Sequence, residues 1–160
     1  MDHEPRLTRE LRHLLHTQRV AALGTLDDRG EPYVSMVPYA IVPDPACLVI
    51  HVSALAVHTR NLQTRGAVSL LVMQPEASGA PVHALPRVTL QGQSTVLDPD
   101  GALWPVARQA YLTRFPESEP MTHLGDFRFV AIRIAQARQV AGFGAARSLD
   151  ADAVQQVLQA

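Results

Sequence analysis

Apolar residues recur at helical spacing near the start of the chain and at alternate positions over most of the remaining sequence. Leu7, Leu11 and Leu14 lie three or four residues apart with charged residues between them, and this spacing predicts an amphipathic helix over residues 6–17. From residue 20 the period falls to about two, and clusters of turn residues separate the segments. Strands are therefore predicted at residues 20–26, 32–41, 47–52, 66–73, 87–97, 126–134 and 137–144.

The connections between these strands indicate the fold class. Short helices are predicted near Ser53, over residues 103–115 and after Asp150, which is a suitable N-cap. Because hairpins join most of the strands, a doubly wound parallel sheet is disfavoured. We expect one mainly β domain over residues 1–160, folded as a six- to seven-stranded antiparallel barrel that is closed or partly closed. Side chains fill so small a barrel, so a ligand of cofactor size would bind outside it or between two copies.

The composition disfavours several classes of partner. The net charge of −1 gives no whole-protein field that attracts nucleic acid or an anionic membrane. No apolar run reaches the ~18 residues that span a bilayer, and the charged N-terminal segment is not typical of a signal peptide. We therefore expect a cytoplasmic protein without nucleic-acid or membrane partners.

The basic residues and the cysteine limit the chemistry further. All 14 basic residues are arginine, which removes Schiff-base lysines and lysine-based phosphate sites. The single cysteine, Cys47, lies in an apolar run and is predicted to be a core residue. His13 and His16 are paired on the first helix without a third ligand, so no metal site is predicted. The sequence identifies no catalytic acid or base.

The segment HVSALAVHTRNL, residues 51–62, carries the main candidate site. If a helix begins near Ser53, one of its faces combines apolar and polar residues, namely Leu55, His58, Thr59 and Leu62. Ser53 would cap that helix, whose free N–H groups and positive dipole end suit an anion. His58 and Thr59 are then either phosphate ligands, with Arg60 and Asn61 beside them, or polar groups satisfied within the protein.

The strand over residues 32–39 offers a second candidate surface. Ser35 and Val37 share one face of it, and Pro38 lies on the other. Since proline cannot donate to a strand ladder, this end is predicted to be an edge. Its exposed backbone groups either contact a flat ligand or mark a plain edge with a β-bulge. Arg87 begins a later strand and is either solvent-exposed or able to reach such a ligand.

Six segments of the chain carry a resemblance to a known superfamily. They are LGTLDDRGEPYVSMVPYA, LVIHVSALAVHTRNLQTRGAVSLLV, PRVTLQG, YLTRFPES, GDFRFVAIRI and ARQVAGFGAA. In this order and spacing they resemble the pyridoxamine-phosphate-oxidase-like, FMN-binding split barrels, and within them the branch related to bacterial haem-utilisation proteins. The resemblance covers residues 8–147. It implies a split β-barrel homodimer with one FMN in each of two clefts at the subunit interface.

The resemblance also implies which residues hold the FMN. In the family, the strand after the first hairpin lies along the flavin, the end of a later strand supplies polar contacts and the short helix supplies phosphate ligands. Arg87 falls where the family often has a glutamine near the flavin. The implied contacts are Ser35, Met36, Val37, Pro38, Tyr39, Val52, Ser53, His58, Thr59, Arg60, Asn61 and Arg87.

Departures from the family pattern shape the expected activity. The oxidases that give the family its name hold phosphate with an arginine–lysine pair where this chain has His58 and Thr59, and they have an arginine where Ser35 stands. The resemblance therefore implies FMN binding without oxidation of pyridoxamine phosphate. A neutral pair binds phosphate weakly, and protonation of His58 below pH ~6.5 is expected to strengthen the site.

Three hypotheses arise from these observations. The leading one is a flavin-dependent oxidoreductase of unknown substrate, in which the flavin performs the redox step and the protein positions it. The second is a non-enzymatic module that binds flavin or haem for storage, sensing or transfer. The third is a cofactor-free structural dimer that retains the barrel.

Overall fold

Eight strands form one antiparallel sheet in the computed structural model, which describes residues 4–160. The strands are β1 (Val20–Leu26), β2 (Pro32–Pro38), β3 (Ala40–Pro43), β4 (Ala46–Ser53), β5 (Ala67–Met73), β6 (Arg87–Val96), β7 (Phe127–Val140) and β8 (Ala146–Asp150). The α-helices are α1 (Arg6–Thr17), α2 (Val57–Thr64), α3 (Leu103–Arg114) and α4 (Ala151–Gln159), with 3₁₀ segments at Val82–Ala84 and Pro116–His123. Within residues 4–160, no helix has both the length and the apolar character needed to cross a membrane.

The two edges of the sheet are joined by the chain itself. The spatial order of the strands is β2-β1-β5-β6-β7-β4-β3, with β8 added beside β7. β2 and β3 therefore lie at opposite edges, although only Tyr39 separates them in the sequence. Because one continuous segment belongs to both edges, the sheet must curl on itself. The mainly β, antiparallel split-barrel prediction is confirmed.

Strand β7 has the most neighbours in this sheet. It pairs with β6 from Val130 onwards, with β4 over its first half and with β8 over its second half. The register with β6 shifts between Gln91 and Gly92. A Cβ at Gly92 would overlap the carbonyl oxygen of Arg133, so only glycine allows the two strands to approach this closely at the bulge.

Apolar side chains pack on both faces of the sheet. The larger cluster fills the barrel, where α1 contributes Leu11 and Leu15 and α4 contributes Val157. A smaller cluster lies under α3 and includes Tyr111 and Cys47. Cys47 is buried, as predicted, and burial raises the pKa of its thiol to about 11. It is therefore an unreactive core residue at neutral pH.

The structure has eight strands where the sequence pattern indicates six or seven. Residues 32–41 divide into β2 and β3 because the chain changes partners at Tyr39, and the two strands predicted over residues 126–144 are one strand, β7, which finds partners along its length. Strand β8 is an additional strand that the pattern does not predict. The bounds of α1 are as predicted. Asp150 caps α4, as predicted, and accepts a hydrogen bond of 2.9 Å from the backbone N–H of Ala153.

Tyr39 fastens the junction of β2 and β3 to helix α1. Its side chain is fully buried, and its hydroxyl donates a hydrogen bond of 2.7 Å to the carbonyl oxygen of Leu15. The guanidinium of Arg114 lies over its ring, 5.0 Å from the centroid. Burial raises the pKa of Tyr39 to about 12, so the phenol stays protonated and keeps donating across the physiological range.

Replacing Tyr39→Phe should lower the free energy of unfolding by about 1–2 kcal/mol, because the carbonyl of Leu15 loses its buried donor. Urea denaturation monitored by circular dichroism measures the change. Tyr33→Phe is the matched control, since Tyr33 is exposed and its change should stay within about 0.5 kcal/mol. Equal stability of Tyr39→Phe and the wild-type protein would contradict the anchoring role.

His51 brings a titratable ring into an aromatic cluster beside α3. Its centroid lies 4.4 Å from that of Phe129, 5.0 Å from that of Phe127 and 5.6 Å from that of Tyr111. Its Nδ1 is buried and has no hydrogen-bond partner among the described residues. Burial lowers the pKa of His51 to about 4, so the ring is neutral at pH 7 and resists protonation.

Mild acid should therefore destabilise the fold through His51. Between pH 6.5 and about 4 the unfolded chain binds a proton that the folded ring excludes, so the free energy of unfolding falls as the pH falls through this window. After allowance for partial solvation, we expect a loss of about 1–2 kcal/mol. Urea denaturation at both ends of the window should show a smaller loss for His51→Phe; an equal loss in the two proteins would contradict this assignment.

Candidate functional site

Helix α2 follows β4 after a three-residue turn rather than directly. β4 ends at Ser53, and α2 begins at Val57 with Ala56 in the N-cap position. The prediction that the helix begins near Ser53 and buries Leu55 is wrong, since Leu55 is 86% exposed. The hydroxyl of Ser53 accepts a hydrogen bond of 3.2 Å from the backbone N–H of Leu55. Ser53 therefore closes the turn and does not cap the helix.

Buried polar side chains attach α2 to the barrel. Thr59 Oγ1 donates a hydrogen bond of 2.5 Å to the carbonyl oxygen of Ser53. Asn61 Nδ2 donates one of 3.0 Å to Thr25 Oγ1 in β1, and that hydroxyl donates at 3.4 Å to the carbonyl oxygen of Tyr33. Thr59, Asn61 and Thr25 are all buried. Their donors are therefore occupied in fixing the position of the helix.

His58 lies on the same helix and contacts the edge strand β2. Its Nδ1 is 2.9 Å from Ser35 Oγ, which is hydrogen-bond distance. The ring is half-buried, and its Nε2 has no partner among residues 4–160 and is not sealed from solvent. Burial lowers the pKa of His58, so the ring is neutral at pH 7. The sequence predicts that phosphate binding becomes stronger when His58 is protonated below pH ~6.5. Because the pKa of His58 is lowered, this protonation needs a lower pH.

The bond between His58 and Ser35 determines what the outward-facing Nε2 can do. If the serine hydroxyl donates to Nδ1, the neutral ring carries its proton on Nε2 and donates to an anionic oxygen. If Nδ1–H donates to the serine oxygen, Nε2 presents a lone pair instead. Among residues 4–160, no three His, Cys, Asp or Glu side chains form a metal site. In either tautomer Ser35 occupies Nδ1, so Nε2 is the ring atom that is open to a ligand.

The edge strand β2 presents apolar side chains to solvent on the face opposite Ser35. Val34 is 68% exposed and Met36 is 65% exposed. Only β1 pairs with β2 in the described part of the chain, which confirms the edge predicted from Pro38. Val37 and Tyr39 point into the barrel core, so they can offer a ligand only their backbone groups.

Two other predicted contacts lie apart from His58. Val52 is buried in the barrel core. Arg60 is exposed and lines a separate cavity of about 380 Å³ together with Asp27 and Asp28. The carboxylates of these aspartates oppose a bound anion there. The structure therefore brings together Ser35 and His58, and leaves the proposed phosphate contact of Arg60 a prediction.

Arg87 begins β6, as the sequence indicates, but its side chain bonds to the backbone of the preceding turn. Its Nη1 donates to the carbonyl oxygens of Leu85 at 2.9 Å and His83 at 3.1 Å. These bonds fix the turn that precedes the strand. The predicted position of Arg87 beside a flavin stays a prediction.

Thr25 is a structural partner of the site that the sequence pattern does not single out. It is buried on β1, where it shares a strand face with Leu23 and Ala21. A hydroxyl on such an apolar face needs a hydrogen-bond partner, because leaving it unpaired costs about 1–3 kcal/mol. A hydroxyl on an apolar strand face is therefore the feature of the sequence that could have identified Thr25 as a hydrogen-bonded residue. Only the fold shows that its partner is Asn61.

Comparison with known proteins identifies the family. The profile of the pyridoxamine 5'-phosphate oxidase family matches residues 7–141. The chain belongs to this family. The resemblance read from the sequence is therefore confirmed, including its link to haem-utilisation proteins, which appear among the relatives.

The similar proteins include several whose names refer to haem. The chain is 27% identical to haem oxygenase HutZ of Vibrio cholerae over 148 residues, which cover 92% of this chain and 83% of that protein. It is 31% identical over 140 residues to the chloroplastic non-canonical haem oxygenase HOZ of Arabidopsis thaliana, covering 86% and 41%. A haem-binding protein from Mycobacterium smegmatis superposes with a TM-score of 0.84 at 29% identity, covering 96% and 62%. The chain thus spans less than two thirds of the last two proteins.

Replacing Asn61→Ala should destabilise the protein by about 1–3 kcal/mol, because it removes a buried hydrogen bond to Thr25. Urea denaturation measures the change. The matched control is Gln63→Ala on the exposed side of the same helix, which should change stability by less than about 0.5 kcal/mol. If Asn61→Ala is as stable as the control, Asn61 does not anchor the helix and is free to serve a ligand.

Proposed function

We propose that this protein binds haem beside α2 and the edge strand β2, and that haem handling is its function. The observation that carries the proposal is the half-buried His58, which Ser35 holds at 2.9 Å with its Nε2 open. The names of the similar proteins from Vibrio cholerae, Arabidopsis thaliana and Mycobacterium smegmatis support the choice of haem over flavin.

The residues at this site suit the chemistry of haem. Its apolar ring faces need apolar cover, which the exposed Leu55 in the turn before α2 can provide, while Val34 and Met36 lie on the opposite face of β2 from Ser35. Its propionates are anionic, and the neutral His58 can donate a hydrogen bond to one of them, with Ser35 orienting the ring. When bound, haem would supply an iron centre that can bind dioxygen. In a storage protein, the haem itself would be the cargo. The part of this chain is to bind and orient the ring and to exclude water.

The proposal includes a homodimer. Apolar side chains as exposed as Val34 and Met36, at 68% and 65%, are unfavourable in water when they are adjacent on one strand. A second copy of the chain that covers β2 would bury them and complete a cleft around the ligand. Size-exclusion chromatography with light scattering measures the oligomeric state.

FMN is the second candidate ligand. The family match supports it, and no side chain caps α2. The backbone N–H groups of Val57 and His58 are therefore open to a phosphate, whereas that of Thr59 donates to the carbonyl oxygen of Ala56. In this case, the flavin would perform a redox step, as in the leading hypothesis from the sequence. The neutral His58 predicts weak FMN binding, because charge-assisted bonds are about twice as strong as neutral ones.

Titration of purified protein with haem and, separately, with FMN distinguishes the two candidates. We expect a saturable shift of the haem absorbance band and weaker binding of FMN. His58→Leu should weaken haem binding by about 1 kcal/mol or more, roughly fivefold, while it leaves stability unchanged or slightly higher. His123→Leu removes an exposed histidine elsewhere and is the matched control.

Three outcomes decide between the hypotheses. Tight FMN binding without haem binding would favour the flavoprotein. Binding of neither ligand would favour the structural dimer. Equal haem affinity of His58→Leu and His123→Leu would contradict the placement of the site, even if haem binds. Addition of a reductant to the haem complex in air then separates degradation by reductant and dioxygen, with loss of the haem band, from storage, in which the band persists.

A further inference from the structure

A cavity of about 450 Å³ lies between α1 and the ends of β5, β6 and β7. This volume is within the range of small-molecule sites. Its apolar lining comes from Leu14, Pro86, Val140 and Ala141, and its polar lining includes Arg9, His13 and Glu10 on one side of α1. None of these residues belongs to the pair formed by Ser35 and His58, so the cavity is separate from the proposed haem site.

A buried polar network holds the walls of this cavity in place. Gln139 is buried, and its Nε2 donates a hydrogen bond of 2.9 Å to the carbonyl oxygen of Leu7. Arg147 donates at 2.8 Å to Gln139 Oε1 and at 3.3 Å to Thr8 Oγ1. These bonds join the first turn of α1 to β7 and β8. The cavity is therefore preformed, which lowers the entropic cost of binding a ligand.

The charges at the cavity mouth favour an anion. Glu10 is paired with Arg6 at 2.9 Å on the helix surface, which offsets part of its charge. Arg9 is exposed and forms no ion pair with an acidic residue within residues 4–160. Arg9 and His13 are four residues apart on one helix, so both side chains face the same ligand position.

We propose that this cavity binds a small carboxylic acid with an apolar body. The carboxylate pairs with the guanidinium of Arg9, whose planar fork matches carboxylate geometry, and His13 donates a second hydrogen bond. The apolar body packs against Leu14, Pro86 and Val140. A neutral analogue lacks the charge-assisted bond, and a carboxylate without an apolar body lacks the packing.

Three probes test this division of roles in the full chain by isothermal titration and saturation-transfer NMR. They are 3-phenylpropionate, the neutral 3-phenylpropanol, and acetate. We expect saturable binding of 3-phenylpropionate, and binding at least tenfold weaker for the other two. Equal binding of the acid and the alcohol, or no saturable binding of the acid, would overturn the proposal.

Two variants change the cavity in independent ways. Arg9→Gln removes the charge and Ala141→Leu fills part of the volume; each should weaken 3-phenylpropionate binding at least fivefold. Arg29→Gln removes an exposed arginine from the β1–β2 turn and should bind as the wild-type protein does. Circular dichroism verifies that each variant is folded. Wild-type affinity in both cavity variants would overturn the assignment.

Haem serves as a competitor that separates this cavity from the proposed haem site. If the two are distinct, saturating haem leaves 3-phenylpropionate affinity unchanged, and His58→Leu does not weaken it. If haem displaces the acid and His58→Leu abolishes its binding, the acid occupies the haem site and the proposal is wrong. The carboxylate site does not depend on the proposed haem function, since its test needs no haem binding to succeed.

Discussion

The bend at Tyr39 is the constraint on which the rest of this structure depends. One residue joins strands that lie at opposite edges of the sheet, so the sheet can satisfy its backbone only by curling. The buried hydroxyl of Tyr39 then ties that junction to α1 through the carbonyl of Leu15. Strand β2 is an edge strand of the curled sheet, and one of its faces lies on the core while the other faces solvent.

The candidate site results from that edge position. Ser35 lies on β2 and His58 on α2, 23 residues further along the chain, yet their side chains meet at 2.9 Å. Because α2 is fixed to the barrel by Thr59 and Asn61, the imidazole is held in one orientation. A neutral, oriented imidazole with one open nitrogen supports the proposed ligand, an amphipathic molecule with an anionic group.

Buried polar groups in this protein serve mainly to position elements. The bond from Asn61 to Thr25 holds α2, and the network of Gln139 and Arg147 holds α1. Each network lies beside a surface that carries open polar atoms, at His58 in one case and at Arg9 in the other. Rigid placement of the open group reduces the entropy lost on binding, which is how a small barrel with a filled interior can still offer defined outer sites.

The sequence by itself determined the elements, the antiparallel class and the family. Helix α1 has the predicted bounds, and β1, β4, β5 and β6 lie within one residue of theirs, because the periods of 3.6 and 2 arise from local geometry. Asp150 caps α4 through a bond to a residue only three positions away. The tertiary structure alone decided which polar residues are free. Thr59, Asn61 and His58 are all polar residues of one short helix. Hydrogen bonds to Ser53 in β4 and Thr25 in β1 occupy the first two, and Nε2 of His58 is left open. Such assignments depend on contacts between distant segments, which no local pattern contains.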